Sequence, residues 1–129
     1  ATDFVLYPGS SSALAVAGTV SQMVTVGSTQ TFDLSFTGLD PACASGAGSA
    51  ANSCGVHIHS GRSCSDASLV GGHYYTGAVT SDPWTKVAYT SSDGTYTSTI
   101  AVATARVDCC AVACTTTRWH CGACPDECR

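Results

Sequence analysis

Three histidines lie near one another in the sequence at spacings that suit a metal site. His57 and His59 are separated by one residue, and His73 follows fourteen residues later. In a β-strand, side chains two residues apart point to the same face, so His57 and His59 can reach one ion. Neutral imidazoles from a rigid strand and a returning loop suit Cu(II), which favours nitrogen donors. The pattern predicts one copper ion held by all three, in preference to three unrelated polar histidines on a β-surface.

The elements that must position these histidines have the composition of β-strands. Phe32, Leu34 and Phe36 alternate with polar residues in the segment 29–36, which is typical of a half-buried strand. Strand composition also marks the segments 14–20, 23–26, 73–79, 86–90 and 95–102. No helical period is visible before the C-terminal tail. Short strands separated by turn residues predict an all-β fold, an antiparallel sandwich or barrel.

The nine cysteines indicate an oxidising compartment, and three of them, Cys43, Cys54 and Cys64, precede the C-terminal tail. Cys43 and Cys54 stand at the two ends of a loop rich in Gly, Ala and Ser, where a disulfide would tie the ends together. Six cysteines lie in 109–129, so a core over 1–108 is followed by a Cys-rich segment that completes the same domain. In that segment disulfides are favoured over a tetrahedral zinc site of three cysteines and His120, because the remaining chain indicates oxidising conditions.

Size and charge exclude several classes of protein. The 129 residues fit one domain, and 44% apolar residues are enough for a packed core. The five Lys and Arg residues are scattered and the net charge is −4, which argues against nucleic-acid binding. The apolar runs are too short to span a membrane. The N-terminus lacks the basic start and apolar run of a signal peptide, so we expect a mature secreted form or an excised domain.

The histidine segments resemble those of the copper/zinc superoxide dismutases. Cys54-Gly55-Val56-His57-Ile58-His59 is similar to their Gly-Phe-His-Val-His ligand strand, and Gly72-His73-Tyr74 resembles the segment of their third copper ligand. Three other segments resemble the family: Phe36-Thr37-Gly38-Leu39, Asp93-Gly94-Thr95-Tyr96 and Arg118-Trp119-His120-Cys121-Gly122. The resemblance covers about residues 4–122. It implies a Greek-key β-sandwich of this type, which dismutes superoxide to oxygen and hydrogen peroxide.

The resemblance also implies roles for residues of the C-terminal segment. Cys121 would form a disulfide with Cys64 in the ligand loop, and Arg118 would guide the superoxide anion to the copper. The chain segment between Val102 and Arg118 is short, as it is in the copper-only branch of the family. That branch also occurs as extracellular repeat domains. We therefore expect a secreted protein or a domain of a repeat protein.

A zinc site is not expected in the sandwich. The family places two more histidines and an aspartate after the third copper ligand, whereas the segment 74–92 contains Asp82 and no histidine. One carboxylate cannot complete a four-ligand zinc site. Without zinc, the second ring nitrogen of His73 needs another partner, and Asp82 is the candidate.

The fourth copper histidine of the family is replaced in this chain. The matching segment is 105–111, with Ala111 at the histidine position. His120 is a fourth ligand, a surface residue or part of a tail metal site, and the surface position is favoured. Water, Cys109 or Cys110 would otherwise fill the gap. Two functions stay open: a superoxide dismutase of weak turnover, or a non-catalytic copper-binding or structural module of the same fold.

Overall fold

The computed structural model describes residues 2, 4–104, 112–116 and 120–122, the last two ranges through their backbone alone. Within these ranges the chain forms eight strands: β1 (Phe4–Leu6), β2 (Ala17–Val20), β3 (Val24–Val26), β4 (Thr29–Thr37), β5 (Gly55–His59), β6 (Tyr96–Ala103), β7 (Val112–Thr116) and β8 (His120–Gly122). They are accompanied by two 3-10 helices (Pro41–Ser45 and Pro83–Lys86) and one short α-helix, α1 (Ala67–Val70).

The strands pair antiparallel in two sheets, which confirms the predicted all-β class. The first sheet has the order β1-β8-β7-β5. The second is built on β4, with β2 and β3 along one edge and β6 along the other. Because β7 and β8 belong to the segment 109–129, two strands of the Cys-rich segment lie in the same sheet as β5.

The core contains side chains from both sheets. Phe32, Leu34 and Phe36 are buried on one face of β4, as their alternation predicts, while the residues between them are more exposed. Val56 and Ile58 of β5 belong to the same apolar cluster. Each such side chain stabilises the fold by about 1.5–3 kcal/mol when fully buried. The cluster therefore fixes one face of the strand that carries two of the histidines.

Two predicted strands are wrong. Within 73–79 only His73 makes a bridge, to His59, and within 86–90 only Ala88 does, to Gly55. Because Asp82 precedes a proline and accepts a hydrogen bond from the backbone two residues on, a 3-10 helix forms between the two segments, at Pro83–Lys86. Such helices are too short to show a helical period in the sequence.

α1 also begins at a capping aspartate, Asp66, whose carboxylate accepts a hydrogen bond from Ser68 N.

Among the residues that the structure describes, no helix has both the length and the apolar character needed to cross a membrane.

The loop before β5 is closed by a disulfide between Cys43 and Cys54, whose Cα atoms are 5.7 Å apart. This pairing is the one predicted from their positions at the loop ends. The other predicted pairing, Cys64 with Cys121, stays a prediction because the side chain of Cys121 lies outside the described part of the chain. Arg118 lies outside it as well, as do Cys109, Cys110 and Ala111.

Candidate metal centre

Strand β5 is enclosed on both edges, and all five of its residues are buried. Strand β7 pairs with one edge. Two returning segments cover the other: Val56 N donates to Val87 O at 3.0 Å, and Tyr74 N donates to Ile58 O at 2.7 Å. This double pairing makes β5 a rigid support for the side chains it carries.

The histidines of β5 occupy the face opposite the apolar core. Val56 and Ile58 pack into the core, so His57 and His59 point to the other side. They are nevertheless only 0% and 5% exposed. His73 reaches this side through its backbone bridge to His59. The structure thus brings all three predicted ligands together.

The three imidazoles lie close enough together to hold one metal ion. One ring nitrogen from each of His57, His59 and His73 can be chosen so that all three lie within 4.8 Å of one another. The ring centroids of His57 and His73 are 4.2 Å apart, and those of His59 and His73 are 4.9 Å apart. No other group of three metal-ligating residues comes this close among the described residues.

The loop 60–72 returns the chain from β5 to His73 and is held closed at its base. Ser60 N donates to Gly72 O at 2.9 Å, and Gly61 N donates to Val70 O at 2.8 Å. Gly61 is required at its position, because a Cβ atom there would collide with the carbonyl oxygens of Leu69 and Val70. This close backbone approach is what brings His73 alongside His59.

Hydrogen bonds set the orientation of two of the three rings. His59 Nδ1 lies 2.9 Å from Gly71 O, and a carbonyl can only accept, so Nδ1 carries the proton. His73 Nδ1 lies 2.6 Å from Asp82 Oδ2. The bond to Asp82 confirms the predicted partner of His73. In both rings Nε2 therefore keeps a free electron pair that can bind a metal ion, which is the arrangement typical of metal-bound histidines.

Buried ring nitrogens without partners are the strongest sign of a missing ligand. Neither ring nitrogen of His57 has a hydrogen-bond partner, and His59 Nε2 has none either. A buried polar atom left unpaired costs about 1–3 kcal/mol. A metal ion would satisfy one ring nitrogen of His57 together with Nε2 of His59, so the residues present fit one.

Asp82 is itself fixed by the 3-10 helix that it begins. Its Oδ1 accepts from Trp84 N at 2.9 Å, while Oδ2 faces His73. The buried Trp84 then donates from Nε1 to Tyr74 O at 2.6 Å. His73, Asp82, Trp84 and Tyr74 therefore form a closed set of contacts that holds the third histidine in place.

Burial keeps the strand histidines in the form that binds metal. Burial, together with the neighbouring His73 and His59, lowers the pKa of His57 to about 4. The pKa of His59 is also lowered, chiefly by burial. Both rings are neutral at pH 7, as coordination requires.

Comparison with family models, curated proteins and solved structures gives no match. The function is therefore inferred from the three histidines themselves. Imidazoles suit copper, and they also suit zinc, iron and nickel, so the cluster identifies a transition-metal site without selecting the metal.

Two residues of the sheet that contains β5 are described through the backbone alone. His120 is the first residue of β8, where its Cα pairs with Leu6 and Thr115. Its role as a fourth ligand stays a prediction. Cys114 of β7 is the Cα partner of His57.

The sequence did not predict two contacts that hold the ligands: the hydrogen bond of His59 to Gly71 O, and that of Trp84 to Tyr74 O beside His73. The carbonyl of Gly71 leaves no side-chain signal. The 3-10 helix that contains Trp84 could have been predicted, because an aspartate followed directly by proline, as at Asp82, is typical of a helix start.

Proposed function

We propose that the chain is an extracellular copper-only superoxide dismutase domain that converts superoxide to oxygen and hydrogen peroxide. The observation that carries the proposal is the buried cluster of His57, His59 and His73, whose donor atoms lie within 4.8 Å of one another. When bound, copper supplies a one-electron redox centre that alternates between Cu(II) and Cu(I). The resemblance of the ligand strand to the copper/zinc superoxide dismutases supports copper and the Greek-key sandwich of that family.

The bond between His73 and Asp82 supports a site that works without zinc. In the zinc-bearing enzymes the third histidine bridges two metals. Here the carboxylate of Asp82 accepts from His73 Nδ1, so the ring is oriented by the protein alone. No histidine follows in 74–92 to build a second site. The proposed complement is therefore one copper ion per chain and no zinc in the sandwich.

The remaining roles follow from the same proposal. His73 is the most exposed of the three ligands, with 10% of its side chain accessible, so a small anion would approach from its side. Arg118 would attract the anion, and a disulfide between Cys64 and Cys121 would anchor the ligand loop. The disulfide of Cys43 and Cys54 supports an oxidising, extracellular location.

Burial favours a second candidate, a non-catalytic copper-binding module. His57 and His59 are 0% and 5% exposed, which leaves little room for a substrate at the ion. Ala111 stands where the family has its fourth copper histidine. Cu(II) prefers four donors, so a site of three imidazoles would hold Cu(I) in preference to Cu(II). We therefore expect turnover well below that of a four-histidine site.

Metal analysis combined with a superoxide-consumption assay tests the proposal. The protein is loaded with copper and zinc together and compared with a His57→Ala/His59→Ala variant. A Thr97→Ala/Thr99→Ala variant is the matched control, since it changes two exposed residues at the same spacing in β6. We expect one copper in the wild type and the control, and none in the histidine variant.

The outcomes separate the two candidates. Superoxide consumption by the copper-loaded wild type, lost in the histidine variant, supports the dismutase. Copper bound without turnover selects the non-catalytic module. Full copper occupancy in the histidine variant, or zinc bound by His73, would show that the proposed site is wrong.

A further inference from the structure

The residue before the metal strand has a backbone conformation that few side chains adopt. Cys54 directly precedes β5 and has a φ of +51°, in the left-handed region. Its disulfide links it to Cys43 in the 3-10 helix Pro41–Ser45. Cys43 and Cys54 are 0% and 2% exposed, so this link lies inside the protein.

A third segment is bound to both cysteines through the backbone. Tyr89 N donates to Cys54 O at 2.8 Å, and Ser91 N donates to Cys43 O at 3.0 Å. The Ser91 hydroxyl also donates to Asp40 O at 3.2 Å. We call the junction of Cys43, Cys54 and residues 87–91 the strand clamp. It holds three parts of the chain at the point where β5 begins.

We propose that the strand clamp sets the register of β5 and thereby turns His57 and His59 toward the metal. Side chains alternate along a strand, so a slip of one residue would exchange its two faces. Val56 and Ile58 would then face the metal, and the two histidines would enter the apolar core. The left-handed turn at Cys54 determines which face each later residue takes. The inference rests on the proposed metal site and extends it to positioning residues that do not touch the ion.

Two disulfide-free variants separate the turn from the cross-link. Cys43→Ala/Cys54→Ala removes the bond and leaves an L-residue at the left-handed position. Cys43→Ala/Cys54→Gly removes the same bond, but glycine adopts positive φ freely. We expect the alanine variant to bind Cu(II) about tenfold more weakly than the wild type. Without the disulfide to hold it, an L-residue disfavours the left-handed conformation by about that factor. The glycine variant should recover most of the affinity, measured by competition with a chelator.

The order of the two variants is diagnostic. If residue 54 did not need the left-handed conformation, the glycine variant would be the weaker binder, because glycine in a strand is less stable than alanine. Leu34→Ala is the control for general destabilisation, because Leu34 is buried in β4 and lies outside the clamp. It should lower stability and leave the Cu(II) affinity close to that of the wild type. Equal affinity in the alanine variant and the wild type, or glycine no better than alanine, would overturn the proposal.

Hydrogen exchange tests the clamp independently of the metal. The amide of Val56 donates to the carbonyl of Val87, which belongs to the clamp, and its exchange reports whether the start of β5 is held. Its exchange in the metal-free protein should be faster in the alanine variant and slowed again by glycine. Ser91→Ala keeps the disulfide and should give a smaller acceleration, so a folded variant exists in either case. A wild type that binds no copper would refute the proposed function, whereas unchanged Val56 exchange would refute the clamp.

Discussion

Asp40 and Asp82 perform the same backbone task at two places in the chain, and only Asp82 bonds a histidine. Each precedes a proline and begins a 3-10 helix. Asp40 Oδ1 accepts from Ala42 N at 2.9 Å, and Asp82 Oδ1 accepts from Trp84 N at 2.9 Å. The second oxygen of Asp82 lies 2.6 Å from His73 Nδ1. The chain thus contains its own control for separating helix capping from ligand orientation.

Asp82→Asn should weaken Cu(II) binding about tenfold, as the loss of a second-shell partner does at other histidine–metal sites. The asparagine oxygen can still cap Trp84 N, but its NH₂ group cannot accept from His73 Nδ1. Asp40→Asn should leave the affinity unchanged. Chelator competition on both variants measures the difference, and an equal effect of the two substitutions would contradict the role of Asp82.

The buried histidines should make the metal-free protein sensitive to acid. His57 has a pKa of about 4 in the folded chain, against an ordinary value of 6.5. Between these values the unfolded chain binds more protons, so the free energy of unfolding falls as the pH drops from 6.5 toward 4. His59 acts in the same direction, because its pKa is also lowered.

Urea unfolding of the chelator-treated protein at pH 7 and pH 5 tests this expectation. The wild type should be less stable at pH 5, and His57→Gln should reduce the difference because glutamine does not titrate. A wild type with equal stability at the two pH values would show that His57 is protonated as easily in the folded chain as in the unfolded one.

At the scale of elements, the sequence predicts the ligand strand better than the segments around it. The β5 histidines alternate with apolar residues, and that alternation depends only on strand geometry. The segments 73–79 and 86–90 have strand composition but serve as covering loops, because the cap at Asp82 and the contacts of Trp84 decide their shape. Tertiary contacts of this kind leave no period in the sequence.

The ligand loop offers a second paired test, at Gly61 and Gly72. Gly61→Ala would press a methyl group against the carbonyls of Leu69 and Val70, whereas nothing lies within 4 Å of a Cβ at Gly72. Gly61→Ala should lower stability by about 1–3 kcal/mol, the usual cost of overpacking. It should also weaken Cu(II) binding by displacing His73.

Gly72→Ala is the control for this change, with the same added methyl group in the same loop. Thermal unfolding and Cu(II) affinity, measured on both variants, compare the two positions. A Gly61→Ala protein with wild-type affinity would mean that the loop base does not position His73.

At the scale of the whole molecule, the site and the core share one strand. Val56 and Ile58 pack on one face of β5 with the apolar residues of β4, and the histidines occupy the other. The site therefore forms only when the core does, and the sequence could predict both from a single alternation. Contributions from Arg118, His120 and the tail cysteines stay predictions, because they depend on how the last segment returns to the sheet.

This coupling predicts that copper stabilises the fold. An ion that binds only the folded chain adds about 2.7 kcal/mol to the free energy of unfolding when its free concentration is a hundred times Kd. For a domain of this size that corresponds to a rise in Tm of about 10 °C. His73→Ala removes the ligand from the returning loop and leaves both strand histidines, so its Tm should rise much less at the same copper concentration.

Differential scanning calorimetry across a copper titration measures the Tm of both proteins. A wild-type Tm that does not rise with copper, or a rise of equal size in His73→Ala, would mean that the ion is not held jointly by strand and loop. A rise confined to the wild type would show that the ion links β5 to the returning loop, as the convergence of the three imidazoles requires.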